Sequence, residues 1–179
     1  MRCLTLRPVR ADDRAYYEDF LVGVNPVDLQ LRFGGRLAES PRGLAARLAG
    51  VDREREIAIV ATLSSRDGRF EIVGDARAHA EDYAAHSEFA MLVRSDLQRL
   101  GLGSALLEKL IGRCRERDVR LLYGLVSPSN AGMLALARRL GFEIDRVAGG
   151  RTVVVSLDLQ PPPAISVPSR RHARSAVTA

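Results

Sequence analysis

Residues 88–142 constrain the fold more than any other part of the chain. Glu88-Phe-Ala-Met-Leu-Val93 is a short apolar run led by an acid, and the next segment, Arg94–Ser104, carries Gly101 and Gly103. Leu102, Leu106, Leu110 and Cys114 then recur at helical spacing. A second apolar run, Arg120–Val126, leads into a second helical pattern, Asn130–Leu140, closed by Gly141. The order is strand, glycine turn, helix, strand, helix. Glycines between a strand and a helix let backbone approach a ligand closely and leave the first helical N–H groups unpaired. Those donors, at the positive end of the helix dipole, suit phosphate. The spacing Gln98-x-x-Gly101-x-Gly103 is neither the dinucleotide-binding G-x-G-x-x-G nor a Walker loop. Taken alone it reads first as a tight turn before a helix.

The remaining elements arrange themselves around this segment. Leu4–Pro8 reads as a first strand, and Asp12 or Asp13 as the cap of a helix running to about Val22. Asn25-Pro26 opens a short helix through Phe33 that stops at Gly34-Gly35. Ser40-Pro41 opens a third, ended by Gly50. Glu56–Leu63 and Phe70–Ala80 read as strands joined by a hairpin at Asp67-Gly68, and His86–Val93 completes an antiparallel meander. Phe142–Val147 and Thr152–Leu159 read as a terminal hairpin across Gly149-Gly150. Pro161-Pro162-Pro163 ends the apolar pattern. The expectation is therefore one domain over 1–159 and a flexible Pro/Arg-rich tail over 160–179.

Composition narrows the function. No apolar run is long enough to span a bilayer, and Met1-Arg2-Cys3 lacks a signal-peptide h-region, so a cytoplasmic protein without a membrane partner is expected. Cys3 and Cys114 are isolated, which gives neither a disulfide framework nor a zinc site; Cys114 reads as a core residue. Net charge is +5, almost all of it from arginine, since Lys109 is the only lysine. There is no tryptophan and no basic stripe interleaved with aromatics, so nucleic acid is not the expected partner. A polyanionic cofactor or a bias towards Arg codons accounts for the excess charge. No Ser-His-Asp set stands on a nucleophile turn, and no histidine clusters at metal spacing.

The pattern Gln98-x-x-Gly101-x-Gly103 after a strand ending in Leu92-Val93 resembles the coenzyme A pyrophosphate loop of the GNAT superfamily of N-acyltransferases. Val126-Ser-Pro-Ser-Asn130, leading to Arg138-Arg-Leu-Gly-Phe142, is similar to that superfamily's Asn-containing helix ending in Leu-Gly-Phe. The resemblance covers about Leu6 to Leu159. It implies an α/β (α+β) fold with a mixed, splayed central sheet in the order β-α-α-β-β-β-α-β-α-β-β. Within the superfamily the chain looks most similar to the acetyltransferase domain of bacterial Pat-type protein-lysine acetyltransferases. Arg7–Asp13, Asn25–Phe33, Ser87–Arg94 and Met133–Phe142 carry that likeness.

The resemblance implies acetyl-CoA as acyl donor, no metal, and transfer to a primary amine, with a protein lysine the leading acceptor. A small amine (polyamine, amino acid or aminoglycoside) is the alternative acceptor; a non-catalytic acyl-CoA sensor is the alternative from another class. Self-association into a homodimer is left open. By the same resemblance, Met91, Leu92 and Val93 hold the pantetheine arm and thioester carbonyl. Gln98, Arg99, Leu100, Gly101, Leu102, Gly103 and Ser104 form the pyrophosphate loop, and Asn130 binds the pantetheine side. An alkyl amine with a pKa near ~10.4 arrives charged and needs a base. Glu88 matches the Pat-type catalytic glutamate; His86 is the nearby second candidate, though it reads first as a surface or structural histidine, and so does His79. The tyrosine that many GNAT enzymes carry seven residues after the helix Asn is Ala137 here, which leaves protonation of the thiolate unassigned.

Overall fold

The computed structural model describes residues 2–33, 40–65, 68, 70–81, 85–146 and 152–160. Seven strands form one sheet: β1 (Cys3–Pro8), β2 (Glu56–Ser64), β3 (Phe70–Ala80), β4 (His86–Val93), β5 (Leu121–Val126), β6 (Glu143–Arg146) and β7 (Val153–Asp158). The helices are α1 (Arg14–Val22), α2 (Pro26–Phe33), α3 (Pro41–Ala49), α4 (Leu102–Glu116) and α5 (Ala131–Arg139). The strand order is β1-β2-β3-β4-β5-β7-β6, antiparallel throughout except for the β4–β5 seam. The expected mixed sheet is therefore present.

Among the described residues three helices stand between β1 and β2, as their separate start signals predict and one more than the superfamily order implies. Pro26 opens α2, with Asn25 Oδ1 accepting from Val27 N at 2.9 Å. Ser40 Oγ caps α3 by accepting from Gly43 N at 3.2 Å. At α1 the expected cap is different: Asp13 makes no cap bond to the helix. Its carboxylate instead accepts from Arg10 N (2.8 Å) and from both Arg7 nitrogens (2.6 and 2.8 Å), tying β1 to the turn before α1. Burial opposes that charge, but Arg7 and the Arg10 amide outweigh it and hold the Asp13 carboxyl below its ordinary value. The expected helix stop at Gly34-Gly35, Asp67 of the first hairpin turn, the Gly149-Gly150 turn and the tail beyond Gln160 lie outside the described residues.

Two apolar clusters sandwich the sheet. On one face α4 and α5 bury Leu102, Leu106, Leu107, Leu110, Ile111, Cys114, Leu134 and Ala137 against β3, β4, β5 and β7. On the other, α1 and α3 bury Tyr17, Phe20, Leu21, Leu44 and Leu48 against Ala58, Val60, Ile72 and Leu92. Cys114 is the core residue its helical position predicts, and burial pushes its thiol up to about 12. Alternation along β4 sends Phe89, Met91 and Val93 to the α4 side, and Glu88, Ala90 and Leu92 to the α1–α3 side.

Candidate active site

The seam between β4 and β5 carries the site. These strands pair in parallel over three steps only, His86–Leu121, Ser87–Leu122 and Glu88–Tyr123. Beyond that point β4 keeps its pairing to β3 as far as Val93–Gly74, and β5 keeps its pairing to β7 as far as Val126–Val153. The sheet thus opens into a wedge with Glu88 and Tyr123 at its apex and Phe89–Val93 along one wall. Backbone groups left unpaired inside a protein require a partner, and an extended, amide-bearing ligand arm is one that fits. Gly124 helps set the apex. A Cβ built there meets the Phe89 ring at 2.7 Å, so only glycine lets that ring lie across β5 towards Phe142, at 5.3 Å between centroids.

The loop after β4 has the backbone shape of an anion nest. Arg99 (φ 60°) and Gly101 (φ 87°) both adopt left-handed backbone, and Gly101 is the N-cap of α4. Alternating handedness of this kind turns successive N–H groups inward as an anion nest, here joined to the start of a long helix. Gly103 has a different job. Its missing Cβ would stand 3.3 Å from Met91 Cε and 3.6 Å from Leu136 Cδ2, so this glycine seats the first turn of α4 against β4 and α5.

Among the other expected coenzyme residues, Leu92, Val93 and Leu102 are buried in the two cores, and Leu100 is exposed. Ser104 Oγ donates to Glu108 Oε1 at 2.9 Å. Gln98 turns its side chain away from the loop's N–H groups: Nε2 donates to Asp28 Oδ2 (2.8 Å) and Val93 O (3.4 Å). Asp28 also accepts from Ser95 Oγ at 2.6 Å, and Ser95 Oγ accepts from Asn25 N at 2.9 Å. Asp28 therefore staples α2 to the loop, a role its first-turn position does not reveal. Asn130 Oδ1 caps α5 by accepting from Met133 N at 3.0 Å, which leaves its NH₂ group for a ligand. Ala137 is fully buried and presents nothing to the cleft.

Glu88 is exposed on β4, on the face that α2 packs against. His79 lies directly opposite it on β3, and Tyr123 beside it on β5. His86 is half-buried two residues before it, at the start of the β5 pairing. Tyr123 is a residue that sequence reasoning missed. Its hydroxyl donates to Glu81, and burial, then Glu81 and Glu88, push its pKa up, so it keeps its proton.

A buried polar group underlies the same face. Arg77 of β3 is clamped by Asp75 (2.9 Å), Glu56 (3.2 Å), the Tyr17 hydroxyl (3.0 Å) and the carbonyl of Leu48. Tyr17 in turn donates to Asp75 at 2.6 Å. Burial raises the Tyr17 pKa, so the hydroxyl stays a donor. The group joins α1 and α3 to the sheet beneath the cleft. Among the described residues, no cluster of His, Cys, Asp or Glu could hold a metal ion, and no helix is long and apolar enough to cross a membrane.

A wedge that opens beside an anion nest, with a carboxylate at its apex, is the layout of a coenzyme A acyltransferase. The family model described as "Acetyltransferase (GNAT) family" matches residues 30–142. An acetyltransferase of Pseudomonas aeruginosa is 31% identical over 154 residues, spanning 86% of this chain and 82% of that protein. An L-methionine sulfoximine/L-methionine sulfone acetyltransferase of the same species is 34% identical over 110 residues, 59% of this chain and 63% of that protein. Among solved structures, the GNAT domain of S. lividans PAT superposes with a TM-score of 0.73 at 26% identity, covering 86% of this chain and 89% of that one. The chain belongs to the GNAT family of N-acetyltransferases. Acetyl-CoA is the donor, and solved proteins with the same fold hold it.

Proposed function

We propose that the protein acetylates a primary amine by direct attack of the amine on acetyl-CoA, with Glu88 as general base and a protein lysine as acceptor. The observation that carries this reading is the end of the β4–β5 ladder at Glu88–Tyr123. At that apex stands the Glu88 carboxylate, on the face away from α4, where an amine can enter without crossing the coenzyme. In this reading the nest at Arg99–Gly101 and the first turn of α4 hold the pyrophosphate. Backbone of Met91–Val93 holds the pantetheine arm and polarises the thioester carbonyl, and the Asn130 amide donates to the pantetheine side.

The ammonium loses one proton to Glu88, directly or through one water, and the free amine attacks the carbonyl carbon. Collapse of the tetrahedral intermediate breaks the C–S bond, and the second amine proton leaves with the thiolate. Three residue steps along β4 carry the chain from Glu88 to Met91, about 10 Å, which favours the route through water. The Tyr123 hydroxyl has its hydrogen committed to Glu81, so its oxygen is free to accept from the incoming ammonium. The lysine acceptor rests on the likeness to Pat-type domains, with the S. lividans PAT domain as its solved counterpart.

Initial-rate kinetics test the reading. Lines that intersect when acetyl-CoA is varied at several lysine-peptide concentrations are expected for direct attack. Parallel lines, or an acetylated enzyme isolable without acceptor, would contradict it, and coenzyme binding without turnover of any amine would favour the sensor alternative.

A further inference from the structure

α2 ends at Arg32-Phe33 over the Glu88 face of β4. The Nε atom of Arg32 is buried and has no hydrogen-bond partner, alone in this among buried side-chain N and O atoms of the described residues. The charged groups that act on it are Asp75 and Arg77 of β3, Arg47 of α3 and Glu88 of β4. Burial lowers its pKa, so its charge is held at a cost that Asp75 and Glu88 only partly offset. Asp75 is already engaged by Tyr17 and Arg77. The guanidinium rests over the Phe33 ring, 4.7 Å from its centroid, with that of Arg47 5.7 Å from the same ring. Two guanidiniums therefore meet at one aromatic ring on this face.

A buried donor left unmade costs roughly 1–3 kcal/mol, so one kept in a native protein calls for an explanation, and a ligand that completes it is one. Guanidinium is a donor-only fork whose best match is a carboxylate. The unpaired donor lies on the face of the sheet opposite α4 and its anion nest, so the coenzyme phosphates do not account for it.

We propose that Arg32 binds a carboxylate carried by the acceptor and so selects which amines reach Glu88. This builds on the acetyl-transfer reading above. The carboxylate has two sources, the α-carboxylate of a free amino acid or an acidic side chain flanking a protein lysine. An amine with no anionic group, such as a polyamine, meets Arg32 with nothing to pair it.

Matched acceptors test the assignment: L-lysine against L-lysinamide, and lysine peptides flanked by Asp against the same peptides flanked by Asn. Wild type should favour the carboxylate member of one pair by roughly 10- to 100-fold in kcat/KM, the range of a charge-assisted hydrogen bond. The pair that shows the preference identifies the source. Arg32→Gln should abolish the preference by raising the acceptor KM, with kcat and the acetyl-CoA KM nearly unchanged. Arg32→Lys, which keeps the charge, should retain part of it. Equal losses on the carboxylate and amide members would mean a structural role and overturn the proposal. A second readout needs no turnover and so survives a failure of the Glu88 assignment. The ¹⁵N-labelled Arg32 Nε–H resonance, assigned by its loss in Arg32→Lys, should shift on titration with Nε-acetyl-L-lysine or the Nε-acetylated, C-terminally amidated Asp-Lys dipeptide. It should not shift with the matching amide and Asn-Lys compounds. A resonance unmoved by either carboxylate would also overturn the proposal.

Discussion

The two faces of the sheet around β4 are built from different materials. On the α4 side the half we assign to the coenzyme is mostly backbone: a strand edge, left-handed loop residues and the start of a helix. On the α1–α3 side the half we assign to the acceptor is made of side chains brought together from distant parts of the sequence: Tyr17, Arg32, Asp75, Arg77 and Glu88. Backbone devices leave a local signature, because a tight left-handed turn needs glycine at a fixed spacing. Side-chain networks leave none, since an arginine in β3 looks the same whether it is solvated or clamped.

That difference explains what the sequence discloses. The β4–loop–α4–β5–α5 order and the Gly101 turn were legible because apolar periodicity, caps and glycine spacing all act within a few residues. Glu88 was legible only through resemblance, and the register that sets it beside His79 and Tyr123 is a property of the ladder. Gln98 was expected at the coenzyme, yet its amide reaches Asp28, seventy residues away in sequence. The close approach of Phe89 to Gly124 and the orphan Nε of Arg32 were equally hidden, because both arise from packing between elements.

The sharpest way to break the comparison is to attack the side-chain half at its centre. Arg77→Met removes one partner of a buried ion pair and leaves Asp75 uncompensated, so chemical denaturation should register a loss of about 3–5 kcal/mol. A change under about 1 kcal/mol would mean that the network does not anchor the acceptor face.

On the backbone half, Gly101→Val has open space for its side chain but must hold φ near 87°. It should weaken acetyl-CoA by about tenfold or more in calorimetry, from a left-handed backbone penalty of about 1–2 kcal/mol. Gly103→Val should weaken binding too, but by pushing α4 off Met91, so it should also lower the melting temperature. Equal stability losses in both variants would erase the distinction drawn between the two glycines.

The smallest effect is expected at the C-terminus. We propose that the Pro/Arg-rich segment 161–179 belongs to neither half, on composition alone. Truncation after Gln160 should leave the melting temperature and kcat/KM nearly unchanged, and a fall of many degrees would place the tail against the fold or a partner.

Glu88 is the one site residue whose proposed role separates the halves outright, since it handles the acceptor's proton and has no part in holding the coenzyme. Replacement by Gln keeps the shape and removes the basicity. The measurement is kcat/KM for the amine over a pH series, alongside acetyl-CoA affinity, in wild type and Glu88→Gln. The account predicts unchanged coenzyme affinity and a loss of roughly 10²–10⁴-fold at neutral pH, with the variant recovering rate only as the amine itself deprotonates. Wild-type turnover by Glu88→Gln at pH 7 would contradict it and move the base elsewhere, with His86 the next residue to test.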